Sequence, residues 1–157
     1  MDHQIREIKE TEYELLNDFL YEAIFIPEGA EPPDRSVIDL PELRVYTENF
    51  GMNDSDKCLV AEAGGKVVGA VWARIMDDYG HIDDETPSLA ISLYPEYRGQ
   101  GIGTDLMRHM LFTLKSMGFR QASLSVQKAN YAVRMYQRLG FRVLRENDEE
   151  YIMVINL

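Results

Sequence analysis

Cysteine is nearly missing from this chain: Cys58 is the one thiol in 157 residues, so no internal disulfide can form. It stands in the apolar run Cys58-Leu59-Val60-Ala61, where a small core residue is expected. The three histidines lie far apart with no partner cysteine, so a metal-ligand pattern is missing as well. No stretch reaches 18 consecutive apolar residues, which leaves no candidate membrane span. The first ten residues are charged and hold no signal-peptide core. Together these absences predict a reducing, cytoplasmic setting.

Basic residues are also in deficit. Lysine and arginine number 16 against 27 acidic residues, a net charge of −11. Nonspecific nucleic-acid binding needs a basic surface and is disfavoured; solubility is the plain consequence of the acid excess. Hydrophobic content of 45% is that of an ordinary globular protein, and the length suits one domain over residues 1–157.

What the chain does have begins at residues 89–104, Leu-Ala-Ile-Ser-Leu-Tyr-Pro-Glu-Tyr-Arg-Gly-Gln-Gly-Ile-Gly-Thr. This reads as a strand, a proline turn and an Arg-x-x-Gly-x-Gly loop that opens a helix. Ile102, Leu106, Met107, Met110, Leu111, Leu114 and Met117 then fall on one stripe, and Gly118 ends the run. The first amides of such a helix are unpaired donors at the positive end of its dipole, a natural seat for diphosphate. Gly101 and Gly103 permit tight turning and close approach. Arg98 adds a cation of forked geometry. Two rival phosphate loops fail. A dinucleotide fingerprint needs a third glycine where Thr104 or Leu106 stands, and the only Gly-Lys pair, Gly65-Lys66, precedes Val67 rather than a hydroxyl residue.

A second segment, 122–141, reads as a strand, a polar turn, a short helix with Ala132, Met135, Tyr136 and Leu139 on one face, and a Gly140-Phe141 stop. With the Arg98–Gly103 loop it resembles the GNAT superfamily of acyl-CoA-dependent N-acetyltransferases. Arg-Gly-Gln-Gly-Ile-Gly is similar to that family's pyrophosphate loop, and Asn130, Ala132, Tyr136 and Gly140-Phe141 to its following motif.

The resemblance implies an α/β fold with a mixed, mainly antiparallel sheet, helices on both faces, and fourth and fifth strands that splay apart. It implies acetyl-CoA as acyl donor, contacted by Ile91, Ser92, Leu93, Arg98, Gly99, Gln100, Gly101, Ile102, Gly103, Thr104, Asn130 and Tyr136. Tyr136 is implied as general acid to the departing thiolate. The partners implied are acetyl-CoA and an amine acceptor, with no metal, nucleic acid or membrane; a homodimer is left open. Two departures stand out. Asn130 precedes Tyr136 by six residues where many members have seven, and Ser125 occupies a place where some relatives carry a glutamate.

That second departure leaves the amine's proton without an obvious acceptor. Tyr79, His81, Asp83, Asp84 and Glu85 precede the fourth strand, and Glu85, closest to it, is the candidate base, acting through water; solvent alone, with no dedicated base, stays open as the proton acceptor. The acceptor side is expected from the first two helices, their proline-rich connection and residues 76–87, which hold Tyr21, Glu22, Phe25, Glu28, Tyr46, Asp77, Asp78, Asp83 and Asp84. N-acetylation of a small amine is the leading reading. Acetylation of protein N-termini or lysines, and a non-catalytic acyl-CoA-binding module, stay open.

The pattern predicts strands at 4–9, 57–63, 67–75, 88–94, 122–126, 142–146 and 151–156. Helices are expected from a Thr11–Glu14 capping box, over 41–50, after Gly101 and after Asn130. Gly64-Gly65 marks a hairpin.

Overall fold

The computed structural model describes residues 2–157. Seven strands form one sheet: β1 (Gln4–Glu7), β2 (Lys57–Ala63), β3 (Lys66–Arg74), β4 (Ser88–Leu93), β5 (Gln121–Gln127), β6 (Arg142–Glu146) and β7 (Glu150–Asn156), in the order β1-β2-β3-β4-β5-β7-β6. Only the β4–β5 neighbours run parallel. Four helices complete the fold: α1 (Leu15–Glu22), α2 (Pro41–Arg44), α3 (Ile102–Ser116) and α4 (Ala132–Leu139). This is the mixed α/β layer expected from the sequence, with the predicted element order.

Side-chain alternation along the strands divides the core in two. Leu59, Val71, Leu89, Leu93, Leu124 and Met153 pack with Leu106, Met107, Met110 and Tyr136, so α3 and α4 cover one face. Val60, Ala70 and Trp72 pack with Leu16, Phe19 and Tyr46, so α1 and the segment after α2 cover the other.

Two helix starts differ from expectation. The Thr11–Glu14 box does not form. The carboxylate of Glu12 instead accepts the Lys9 N–H at 2.9 Å and two bonds from Arg6 at 2.8 Å each, so residues 10–12 form a 3-10 turn and α1 begins at Leu15. The second helix, expected to reach Phe50, ends at Arg44. The carbonyls of Val45 and Tyr46, which a longer helix would use internally, accept instead from Arg74 Nη1 at 3.0 Å and Trp72 Nε1 at 2.9 Å. Asn49, at φ +53°, turns the chain out of helical geometry.

Between β4 and β5 the sheet is nearly unstitched. A single pair, Ser88 with Ser123, joins them, whereas β5 and β7 pair along seven residues. The splay lies midway across the sheet, where α3 and its glycine loop begin.

Candidate functional site

Backbone groups of a strand alternate between its two neighbours, and two bonds set the parity of β4. Tyr94 N–H donates to Val68 on the β3 side at 3.0 Å, and Ser123 N–H donates from β5 to Pro87 at 3.0 Å. Residues 90 and 92 therefore address β3, while Leu89, Ile91 and Leu93 address β5. Beyond Ser88 no β5 residue pairs with them, so Ile91 and the amide of Leu93 line a stretch of backbone that β5 leaves uncovered. Ser92, expected beside them, faces the other way. Its amide belongs to the β3 ladder and its hydroxyl donates to the Phe19 carbonyl at 2.6 Å, fastening β4 to α1.

The glycine loop meets this gap at its end. Gly99 and Gly101 hold φ of +72° and +87°, a left-handed backbone that glycine adopts without steric cost. A Cβ on either would meet no atom within 4 Å, so the space over the loop is open. Asp105 N–H donates to Gly101 at 3.1 Å, the first bond of α3, leaving the amides of Ile102, Gly103 and Thr104 at the positive end of a fifteen-residue helix. A Cβ built on Gly103 would stand 3.7 Å from Leu93 Cδ1 and 3.8 Å from Met135 Sδ. The start of α3, the end of β4 and α4 thus converge. Gln100 reaches back to the Glu96 carbonyl at 3.1 Å.

Arg98 is engaged within the chain. Its Nε donates to the Leu93 carbonyl at 3.1 Å, and Nη2 to the Glu22 carbonyl at 3.2 Å and carboxylate at 3.3 Å. The residue read from sequence as a phosphate cation ties the loop to β4 and α1.

Asn130 and Gly140-Phe141 frame α4. Asn130 Oδ1 accepts the Ala132 N–H at 2.9 Å, satisfying a first-turn donor. Gly140 sits at φ +111°, and Phe141 N–H closes back on the Tyr136 carbonyl at 3.0 Å, the glycine-terminated helix end. This stop turns Phe141 onto Tyr136, their ring centroids 5.7 Å apart. Tyr136 is buried, and burial raises its phenol above the usual tyrosine range. Its hydroxyl makes none of the side-chain hydrogen bonds among the described residues.

Glu85 lies in an exposed turn, its N–H donating to Asp83 Oδ1 at 2.9 Å. Its carboxylate makes no hydrogen bond or ion pair among the described residues. Asp83 and Asp84 are likewise exposed. Asp78 differs from all three: the residue is half-buried with both carboxylate oxygens turned inward, and burial holds its carboxyl above the usual carboxylate range. The signal for it in the sequence is Gly80, two residues on. A Cβ there would lie 3.0 Å from the backbone of Leu124 and of Ser125, so the loop lies flat on β5 with no slack for a side chain at this position. Gly80→Ala is accordingly expected to lower unfolding stability by about 1–3 kcal/mol, the cost of overpacking a tight contact; a urea titration matching the unaltered protein would contradict that packing. Two shallow surface depressions, one beside Tyr79, Arg145 and Ile152 and one beside Val45, Met52 and Arg74, take no residue from β4 or β5.

Residues 12–141 match the family model described as the acetyltransferase (GNAT) family. The chain belongs to that family. Among sequence relatives, a mycothiol acetyltransferase of Pseudarthrobacter chlorophenolicus is 26% identical over 113 residues, covering 71% of this chain and 35% of the relative. N-acetyltransferase family 8 member 3 of Mus musculus is 31% identical over 107 residues, 68% of this chain and 47% of the relative. The chain thus spans less than half of either relative's length. Among solved structures, the PaiA N-acetyltransferase of Thermoplasma acidophilum in complex with coenzyme A superposes with a TM-score of 0.73 at 21% identity, covering all of both chains. The ribosomal-protein-S18-alanine N-acetyltransferase of Escherichia coli gives 0.69 at 18%, covering 99% of this chain and 94% of that one. The GNAT fold accounts for the splay between β4 and β5 and for the glycine loop at the start of α3. Among the described residues there is no group of acidic, histidine or cysteine side chains arranged to hold a metal, and no helix is long and apolar enough to cross a membrane.

Proposed function

We propose that the protein transfers the acetyl group of acetyl-CoA to a primary amine of a small, amino-acid-like molecule, by direct attack at the β4–β5 gap. The observation that carries this reading is the junction of uncovered β4 backbone with the amide-rich start of α3. Pantetheine, with its amide groups, adds to an exposed strand edge as a further strand would, and Ile91 and Leu93 offer that edge. The amides from Gly101 to Thr104 then receive the diphosphate. With its guanidinium tied to Glu22 and Leu93, Arg98 acts by holding the loop in shape. An amide N–H of Ile91 or Leu93 polarises the thioester carbonyl.

Tyr136 donates a hydrogen bond to the sulfur as the carbon–sulfur bond breaks. Burial keeps its phenol protonated across the neutral range. A free thiol has a pKa of about 8.5, below that of the phenol, so the hydrogen bond stabilises the developing thiolate and solvent completes its protonation. The acid excess of this chain, −11, favours a cationic acceptor. The single buried thiol, Cys58, suits a reducing compartment, and we place the enzyme in the cytoplasm.

Thiol release from acetyl-CoA, measured over a panel of small amines and peptides, tests the reading. Transfer to peptides alone would move the acceptor to protein termini or lysines. Tight acetyl-CoA binding with no release over the whole panel would make the chain a donor-binding module. Tyr136→Phe is expected to lower kcat by about 10²-fold, the effect of removing one hydrogen-bond donor aimed at developing charge, with little change in KM for acetyl-CoA. An unchanged kcat removes Tyr136 from the chemistry.

A further inference from the structure

Four buried side-chain polar atoms among the described residues have no hydrogen-bond partner: both carboxylate oxygens of Asp78, Nδ1 of His81 and Oγ of Ser88. They fall together. His81 N–H closes a turn onto the Asp78 carbonyl at 3.2 Å, and the polar neighbours of the Asp78 carboxylate are the hydroxyls of Ser88 and Tyr46 and the Gly80 amide. These neighbours favour the charged carboxylate, yet neither of its oxygens has a full hydrogen-bond partner. A buried, unsatisfied carboxylate costs stability, so its place needs an explanation other than stability.

The location supplies one. The loop crosses β5 on the α1 face of the sheet. It is held by Ser123 Oγ, which donates to the Gly80 carbonyl at 2.7 Å, and by Arg145 Nη2, which donates to the His81 carbonyl at 3.0 Å. Tyr46 meets it from the segment after α2, its phenol beside both Asp78 and Ser125. Alternation places Ser125 on the face opposite Leu124, away from α3 and α4. Asp78, Tyr46, Ser88 and Ser125 therefore surround the point where β4 and β5 part, on the side opposite Tyr136.

We propose that Asp78 is the group that takes the proton of the acceptor amine, a role that rests on the acetyl-transfer reading above. The ammonium R–NH3+ gives one proton to the Asp78 carboxylate. The free amine attacks the thioester carbonyl carbon, a carbon–nitrogen bond forms and the carbon–sulfur bond breaks. The second nitrogen proton balances the one gained by the CoA thiolate, and Asp78 releases its own to solvent. One proton is freed per amide made. The raised carboxyl of Asp78 suits it to this task near neutrality. The titratable group facing it is Tyr46 from the segment after α2, while the His81 ring of its own loop pairs with Asp84 at 3.6 Å; β4 and β5 supply only the hydroxyls of Ser88 and Ser125. Burial and the Asp78 charge both raise the Tyr46 phenol, which stays a neutral donor.

Asp78→Asn keeps the shape and removes the base. Expected at pH 7 is a fall of at least about 100-fold in kcat/KM for the amine. The deficit should shrink tenfold per pH unit as the pH rises toward the amine's own pKa of about 10, while acetyl-CoA raises the melting temperature of both proteins equally. The melting temperature is also the check on folding. A carboxylate whose pKa is raised on folding destabilises the native state increasingly as pH climbs through that pKa, so at pH 7 the asparagine variant should melt at or above the unaltered protein. Activity within threefold of the unaltered protein, with the same pH profile, overturns the proposal. So does a raised KM for the amine with kcat and pH profile unchanged, since Asp78 would then only bind the ammonium. If acetyl-CoA stabilises neither protein, the acetyl-transfer reading itself has failed, an outcome distinct from loss in the variant alone.

Discussion

Gly101→Glu is expected to abolish the rise in melting temperature that acetyl-CoA gives the unaltered protein. At a ligand concentration 100 times Kd that rise corresponds to about 2.7 kcal/mol, and the variant should show none of it. Two effects combine. The residue sits at φ +87°, where any Cβ costs about 1–2 kcal/mol. The new carboxylate would also stand over the first amides of α3, repelling the diphosphate from its seat. The chain itself does not obstruct the side chain, since a Cβ at 101 meets nothing within 4 Å. Gly101→Ala separates the two effects, carrying the backbone strain without the charge, and should keep part of the ligand response. Full stabilisation of the glutamate variant by acetyl-CoA would show that the diphosphate lies elsewhere.

Asp56→Ala should be the most damaging single change to the fold, costing about 3–5 kcal/mol. Asp56 is 2% exposed and Arg74 11% by side chain. The two meet through Nε–Oδ1 at 3.1 Å and Nη2–Oδ2 at 3.2 Å, and Asp56 also accepts the Gly51 N–H at 3.0 Å. Removing the carboxylate leaves a buried guanidinium whose remaining hydrogen-bond partner is the Val45 carbonyl, with the Phe50 ring 5.6 Å away. Against a total stability of about 5–15 kcal/mol, that loss should be plain in a guanidinium chloride titration. The paired change Asp56→Val with Arg74→Met should recover much of it, because two buried charges then vanish together. A loss under 1 kcal/mol for Asp56→Ala would mean the pair is hydrated.

What the sequence disclosed about this site follows from what glycine and helix ends demand. The loop at 99–103 was legible because its left-handed positions accept almost no other residue, and Gly140-Phe141 because a helix stop at φ +111° needs glycine. Strand edges came within one or two residues through alternation. Arg98 was half legible: an arginine before a glycine loop reads as a phosphate ligand, and only the fold brings Glu22 from 76 positions away. The short α2 was hidden for the same reason, since Trp72 and Arg74 are distant in sequence from the carbonyls they capture. Asp78 looks like its acidic neighbours at 77, 83 and 84. Burial alone distinguishes it, and burial comes from the packing of Gly80 on β5.

The lone Ser88–Ser123 pair has a mechanical consequence. It leaves the sheet as two rafts joined by one rung, β1 to β4 on one side and β5 to β7 with β6 on the other. Strand β4 occupies the fourth of seven places, yet the amide hydrogens of Ile91 and Leu93 should exchange with deuterated solvent as fast as those of a border strand. A molecule seated along that seam would supply the absent rungs. The stiffness of the whole sheet then becomes a property of the protein and its acyl donor together.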